Sequence, residues 1–242
     1  MAARRLFVPA DRLAAPTATL TGSEHHHVSI VLRARPGDQL TLFDGAGGEV
    51  DARILRIGRD QTEVELGARR AGVTATAPIT LLAAIPRGSR MDVLLQKTVE
   101  VGVARIVPLV TARSVVRPEA GRRERWTAIV REAARQCGRA DVPAVDGPIG
   151  LSDALAAPDL PSRRLALFER EGEPGLATAL AALEPAPTAL LVGPEGGWDP
   201  AERDAARAAG FIGVGLGARI LRVETAAIVA VTLAAAAYGD FS

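Results

Sequence analysis

Cysteine and lysine are almost missing from this chain: Cys137 and Lys97 are single examples among 242 residues. One thiol cannot close an internal disulfide, and no Cys-x-x-Cys or Cys/His cluster offers a zinc site. Aromatic residues make up only 3%, so the core has to be filled by aliphatic side chains. No run of about eighteen apolar residues is free of charges or turn residues, which argues against a transmembrane helix. The opening Met1-Ala2-Ala3-Arg4-Arg5-Leu6 lacks the apolar stretch of a secretory signal. A soluble, cytoplasmic protein is expected. No G-x-x-x-x-G-K-[ST] phosphate loop is present. No G-x-G-x-x-G follows an early strand with an acidic partner downstream, which argues against a dinucleotide fold.

What is there is apolar bulk and unevenly placed charge. Hydrophobic residues reach 48%, enough for a real core in one large domain, or in one large and one small. The overall net charge is +1, but residues 87–139 carry +7 and residues 140–242 carry −7. A basic middle segment in a near-neutral chain suits a polyanionic partner, or simply a solvated helical face.

Residues 1–70 read as a small β-rich domain. Segments 6–8, 39–43, 49–57 and 62–66 have strand length, and several alternate apolar and polar residues. Turn residues at 35–38, 44–48 and 58–60 separate them, and short strands at this spacing suggest a small barrel. A helix over 22–33 interrupts them, with Ser23 as candidate N-cap. Its three histidines, His25 to His27, point in different directions on a helix and do not suit one metal. They form a polar surface or, with Arg33 and Arg35, a contact for phosphate or bases.

Residues 71–78 read as a linker, after which the periodicity changes. Segment 79–85 is nearly all apolar, as in a strand covered on both faces. Helix 91–101, with Met91, Leu94, Leu95, Thr98 and Val101 on one face, ends at Gly102. Strand 104–110 and a charged helix over 119–137 follow. Further strands are expected at 165–168, ending on Glu169, and at 189–192. Helices are expected at 175–183, 200–209 and 225–238, the last buried in the core or at a subunit interface. Alternating strands and helices define an α/β domain with a mainly parallel sheet.

Two glycine-rich stretches close this domain. Leu191-Val192-Gly193-Pro194-Glu195-Gly196-Gly197 leads to Asp199-Pro200, a favourable helix start. Val214-Gly215-Leu216-Gly217-Ala218-Arg219-Ile220-Leu221-Arg222-Val223-Glu224-Thr225-Ala226 runs from a short apolar strand into the last helix. Each begins at a strand carboxyl end, where open α/β sheets bind ligands.

These two stretches resemble the signature of the RsmE-type ribosomal RNA methyltransferases of the SPOUT superfamily. The likeness extends along nearly the whole chain: Arg4-Arg5-Leu6-Phe7-Val8, His26 with Val31-Leu32-Arg33, and Phe43-Asp44-Gly45. It continues through Gln96-Lys97-Thr98-Val99-Glu100-Val101-Gly102-Val103, Arg113-Ser114-Val115, Trp126, and Glu132-Ala133-Ala134-Arg135-Gln136-Cys137-Gly138-Arg139. Val101 stands where Leu is usual and Val223 where Thr is frequent.

The resemblance implies a PUA-like β-barrel over 1–70 and a SPOUT α/β domain over 79–242 that ends in a trefoil knot. It implies S-adenosyl-L-methionine as cofactor, a homodimer, and methylation at N3 of a uridine in 16S ribosomal RNA, free or in the small ribosomal subunit. Cofactor contacts are expected from Phe168, Val192, Gly193, Pro194, Gly196, Gly197, Leu216, Gly217, Ile220, Leu221, Thr225 and Ala226. No metal is expected.

Uridine N3 must lose a proton, and charge then develops on the flanking carbonyl oxygens, where a cation helps. The charged residues of the two loops, Arg222, Glu195 and Glu224, are therefore the candidate catalytic groups. In the plainer alternative, Glu224 caps the last helix and Arg222 pairs with it. RNA docking is assigned to Arg4, Arg5, His26, Arg33 and Arg35 on the barrel, and to Arg87, Arg90, Arg113 and Arg139 nearer the cofactor. A SPOUT enzyme acting elsewhere on RNA, or a non-catalytic ribosome assembly factor, are the competing readings.

Overall fold

The computed structural model describes residues 4–114, 121–168, 172–181 and 183–241. Val115, Glu169 and the first residues of the expected helix over 119–137 lie outside these. Two compact units result. The first runs to Thr74 and takes in Ala134–Val142; the second begins at Ala75, breaks after Ala133 and resumes at Pro143.

The first unit is a five-stranded sheet made of β1 (Arg5–Phe7), β2 (Thr17–Thr21), β3 (Gln39–Phe43), β4 (Gly48–Ile57) and β5 (Gln61–Ala71), in the order β1-β3-β4-β5-β2. Only the β1–β3 pair is parallel. Period-two patterning makes the sheet one-sided: Leu20, Leu40, Leu42, Ala52, Ile54 and Val64 all point into one buried cluster. Two register shifts in the β4–β5 pair, at Val50/Ala52 and Ile54/Arg56, bend the long strands.

Strand β2 falls outside the strands expected above, although Thr-Ala-Thr-Leu-Thr alternates with every second residue buried. Helix α1 (Gly22–His26) continues as a π-turn over His27–Val31. Its N-cap is Thr21 and not Ser23, because the backbone turns extended at Thr21, whose N–H donates to Glu24 at 3.4 Å. The segment after Ala134 joins this unit through its backbone. Ala140 N–H donates to Val73 at 2.8 Å, and Val142 N–H to Gly45 at 2.9 Å.

The second unit is built on a seven-stranded sheet. Its strands are β6 (Ile79–Ala84), β7 (Val103–Val110), β8 (Ala144–Val145), β9 (Ile149–Gly150), β10 (Arg163–Leu167), β11 (Thr188–Val192) and β12 (Ile212–Val214). Every pairing is parallel, in the order β12-β10-β11-β6-β7-β8, with β9 also on β7. Central β6 and β11 are buried at every residue, which is why they read as unbroken apolar runs.

Helices α2 (Arg90–Glu100), α5 (Leu176–Ala181) and α7 (Val223–Ala237) pack together, α7 lying against β6 and β11. Helices α4 (Leu151–Leu155) and α6 (Pro200–Ala208) form a separate pair. The remaining helix, α3, is Arg122–Cys137. Helix α7 buries Val223, Ala226, Ala227, Ala230, Val231, Ala234 and Ala235, a stripe at spacings of three and four whose small side chains let the helix approach its neighbours closely. Its far end is held by Tyr238, whose hydroxyl lies 2.6 Å from Thr188 Oγ1 and accepts from Arg163 at 2.9 Å. Because the strands are parallel, the carboxyl ends of β10, β11 and β12 share one edge, and three loops leave from it side by side.

Candidate active site

The loop after β11 is shaped by an indole. Trp198 donates its Nε1–H to the Leu167 carbonyl at 3.0 Å, tying the loop to the end of β10. Its ring occupies the space over Gly193, where any Cβ would come within 2.7 Å. Glycine is therefore required there by close approach. Phe168 meets Trp198 edge-on, with centroids 6.5 Å apart, and carries Arg203 and Arg207 over its ring at 5.2 and 5.3 Å. The loop ends in a capping box: Asp199 accepts from Ala201 N–H at 3.1 Å and Glu202 accepts from Asp199 N–H at 3.1 Å.

The loop after β12 is held by main chain. Gly215 N–H donates to Pro174 at 2.9 Å, and Gly215 accepts from Leu176 N–H at 2.9 Å. The chain then turns at Gly217, with φ +88°, and enters α7 at Arg222. There the backbone is extended, and the carbonyl accepts from Ala226 N–H at 2.8 Å.

Between these loops and the connection after β10 lies a cleft of about 880 Å³, within the range of cofactor sites. Of the expected cofactor contacts, Phe168, Val192, Gly193, Pro194, Gly197, Leu216, Gly217, Ile220, Leu221 and Ala226 line it. Gly196 and Thr225 do not. Gly196 faces Arg113, which donates to its carbonyl at 2.9 Å, and Thr225 is exposed on α7. Sequence reasoning passed over Trp198, Arg203, Glu173 and Gly175, which also line the cleft. Trp198 carried a signal, since it directly follows the glycine motif; Glu173 and Arg203 carried none.

The candidate catalytic groups stand in distinct settings, and Glu224 lies outside the cleft lining. Glu195 and Arg222 line the cleft. Arg90 Nη1 lies 2.5 Å from Glu195 Oε1, and Arg87 Nε lies 3.6 Å from Oε2. Glu224 is 8% exposed; its Oε1 lies 3.8 Å from Arg90 Nε and its buried Oε2 has no hydrogen-bond partner. Glu224 makes no capping bond, and Arg222 has no ion pair among the described residues. The expected alternative, an Arg222–Glu224 pair, is thus replaced by an Arg90–Glu224 pair.

The residues assigned to RNA docking divide sharply. Arg139 is buried and Arg5 is mostly buried. Arg5 pairs with Glu49 at 2.6 Å, donates to the Arg139 carbonyl at 3.1 Å and lies over the Phe43 ring, while Arg139 pairs with Asp141 at 2.5 Å. Both guanidinium groups are engaged within the first unit and leave little surface to solvent. His26, Arg33 and Arg35 are exposed. His25 is bound to Thr62 at 2.8 Å and His27 lies 3.3 Å from Arg135, so the three histidines diverge. Arg33 has φ +49°, alone among described non-glycine residues in the left-handed region. Arg4 pairs with Asp38 at 3.1 Å. The Arg35 backbone N–H, and then the Arg4 guanidinium, hold the Asp38 carboxyl below the usual carboxylate range. In the second unit Arg87 and Arg113 are well exposed, whereas Arg90 is turned onto Glu195.

A parallel α/β domain with a loop-walled cleft at its strand ends, accompanied by a small mixed-sheet domain, is the architecture of an RNA methyltransferase. The family model described as an RNA methyltransferase domain matches residues 74–235, and that described as an RNA methyltransferase PUA domain matches residues 20–67. The chain is 34% identical to ribosomal RNA small subunit methyltransferase E of Synechocystis, over 94% of this chain and 76% of that one. It is 32% identical to the Bacillus subtilis enzyme of the same name, over 90% and 89%. The crystal structure of the Neisseria gonorrhoeae ribosomal RNA small subunit methyltransferase E bound to S-adenosyl methionine superposes with a TM-score of 0.88, at 36% identity, covering 98% of this chain and 99% of that one. The chain belongs to the ribosomal RNA small subunit methyltransferase E family.

Proposed function

We propose that the protein transfers a methyl group from S-adenosyl-L-methionine to N3 of a uridine in small-subunit ribosomal RNA. The observation that carries the reading is the cleft itself. Its lining combines apolar side chains at Phe168, Val192, Leu216, Leu221 and Ala226 with glycines and with charged groups at Glu173, Glu195, Arg203, Arg219 and Arg222. That combination suits an adenosine and its sulfonium tail. The relative solved with S-adenosyl methionine matches over the whole of both units. When bound, the cofactor supplies an electrophilic methyl carbon.

The chain's own residues do the rest by orientation and charge placement. Arg222, unpaired at the cleft wall, offsets the negative charge that reaches the uracil carbonyl oxygens as N3 loses its proton. The two carboxylates take different parts. Glu195 lines the cleft and accepts the N3 proton, with Arg90 and Arg87 beside its oxygens; Glu224, buried outside the lining, orients Arg90. Arg4, Arg33 and Arg35 with His26 on the first unit, and Arg87 and Arg113 on the second, take RNA phosphates.

The same reading assigns residues 1–70 to a PUA-like barrel and residues 79–242 to the catalytic domain, with a C-terminal knot. The pairing of Gly215 with Pro174 and Leu176 supports the knot, because the chain runs against the 168–188 connection before it reaches α7. A homodimer and a cytoplasmic setting belong to this reading. The half-exposed apolar face of α7, with Ile228 and Leu233, supports the dimer. Among the described residues no helix is long and apolar enough to cross a membrane.

The test has two parts. Calorimetry with S-adenosyl-L-methionine should show binding. Incubation with small ribosomal subunits, followed by mass spectrometry of the digested nucleosides, should yield 3-methyluridine. Methylation on ribose or on another base would displace the N3 assignment; absence of cofactor binding would displace the whole reading.

A further inference from the structure

Three elements converge on one side chain at the cleft mouth. Arg90 is the first residue of α2. Glu195 belongs to the loop after β11, and Glu224 is the second residue of α7. A single guanidinium faces both carboxylates, with Nη1 2.5 Å from Glu195 Oε1 and Nε 3.8 Å from Glu224 Oε1. The placement runs against helix preference, since a cation at a helix N-terminus meets the positive end of the helix dipole. One carboxylate from the loop after β11 and one from the first turn of α7 offset that cost. Glu224, in turn, sits in the first turn of α7, where a negative charge is favoured. It is almost wholly buried, and no other cation pairs with it among the described residues. Removing Arg90 therefore leaves a buried carboxylate without a counter-charge.

We propose that Arg90 is a positioning residue that fastens the two cleft loops to one another through Glu195 and Glu224, and is not an RNA phosphate contact. The planar, multidentate guanidinium can address two carboxylates at once, which a lysine ammonium does less well. The consequence for structure follows from the ion pairs alone. The consequence for turnover rests on the methyl-transfer reading of the cleft. Holding Glu195 and Arg222 in register across the cleft matters chiefly for the reacting geometry, and only secondarily for capture of RNA.

The experiment compares the wild-type protein with Arg90→Gln and Arg90→Lys, and uses Arg87→Gln as the variant that touches Glu195 alone. Amide hydrogen exchange is followed in residues 193–198 and 222–227. In Arg90→Gln both stretches exchange faster together, by about tenfold or more. Arg87→Gln speeds only the first stretch, and Arg90→Lys lies between wild type and Arg90→Gln. Unchanged exchange in Arg90→Gln, or a change confined to one stretch, overturns the proposal. If Arg90→Gln does not fold, Arg90→Lys decides by the same criterion.

Kinetics with small ribosomal subunits give the second readout. Arg90→Gln lowers kcat by about tenfold or more, while KM for the RNA stays within about twofold. A raised KM and a shallower salt dependence with kcat intact would make Arg90 a phosphate contact and overturn the inference. Should the wild-type protein neither bind the cofactor nor transfer methyl, the functional reading fails, and the exchange measurement still decides whether Arg90 joins the loops.

Discussion

Arg5 Nη1 lies 2.6 Å from Glu49 Oε1 in a setting where both side chains are mostly buried, 13% and 7% exposed. With the Phe43 ring beneath it and the Arg139 carbonyl beside it, this arginine is part of the first unit's interior. Removing one partner of a buried pair leaves the other poorly matched, and Glu49 would keep only the half-exposed Arg70, 3.1 Å from its Oε2. Arg5→Ala is therefore expected to cost roughly 3 kcal/mol of folding stability, read from urea unfolding. Arg4→Ala, which breaks only an exposed pair with Asp38, is expected to cost at most about 1 kcal/mol. Equal effects of the two substitutions would contradict the structural role given to Arg5.

The exposed arginines should behave in the opposite way. Arg33→Ala and Arg35→Ala leave stability nearly unchanged and weaken binding to small-subunit RNA. Each lowers the slope of log affinity against log salt by about one. Filter binding across a salt series measures this directly. A slope identical to wild type in both variants would remove these residues from the RNA contact.

Arg222 and Glu195 are expected to separate catalysis from cofactor capture. Arg222→Ala is expected to lower kcat by about a hundredfold or more, on the scale of a lost charge-stabilising donor, while S-adenosyl-L-methionine affinity stays within a few-fold. Glu195→Gln should show a similar loss and Glu224→Gln a smaller one, because Glu195 lines the cleft and Glu224 does not. A larger loss in Glu224→Gln would exchange the two roles.

Gly193→Ala tests the wall of the cleft. The added methyl would sit 2.7 Å from the Trp198 indole, so the loop must shift away from its bond to Leu167. Cofactor affinity is expected to fall by tenfold or more, about 1.4 kcal/mol, with only a modest change in the melting temperature. Gly217, which has open space around its α-carbon but φ +88°, fails for a different reason. There an alanine is strained by backbone angle and not by collision.

How far the sequence reveals this molecule depends on the range of the forces involved. Strands β6 and β11 were legible because burial on both faces leaves an unbroken apolar run. The helix start at Asp199-Pro200 was legible because a capping acid directly before a proline is a local signal. Strand β2 was overlooked although Thr17–Thr21 alternates cleanly, since small residues and threonine give a weak apolar signal. The return of Ala134–Val142 to the first unit has no local signature, because backbone bonds from Ala140 to Val73 and from Val142 to Gly45 hold it there.

At the site, the glycine loops and most of the cleft lining followed from the motifs. The fate of individual arginines did not: Arg5, Arg90 and Arg139 look like Arg33 or Arg35 in sequence, and only the positions of Glu49, Glu195, Glu224 and Asp141 distinguish them. Glu173, which lines the cleft and pairs with Arg207 at 2.9 Å, was likewise out of reach, since its partner lies on α6.

The indole that shapes Gly193 has one more consequence, for measurement. The chain has two tryptophans: Trp126 is 2% exposed on α3, and Trp198 forms part of the cleft wall. With Trp126 replaced by phenylalanine, ultraviolet emission would come from a single fluorophore touching whatever enters the cleft. Occupancy of the methyl-donor site could then be followed in real time without a label.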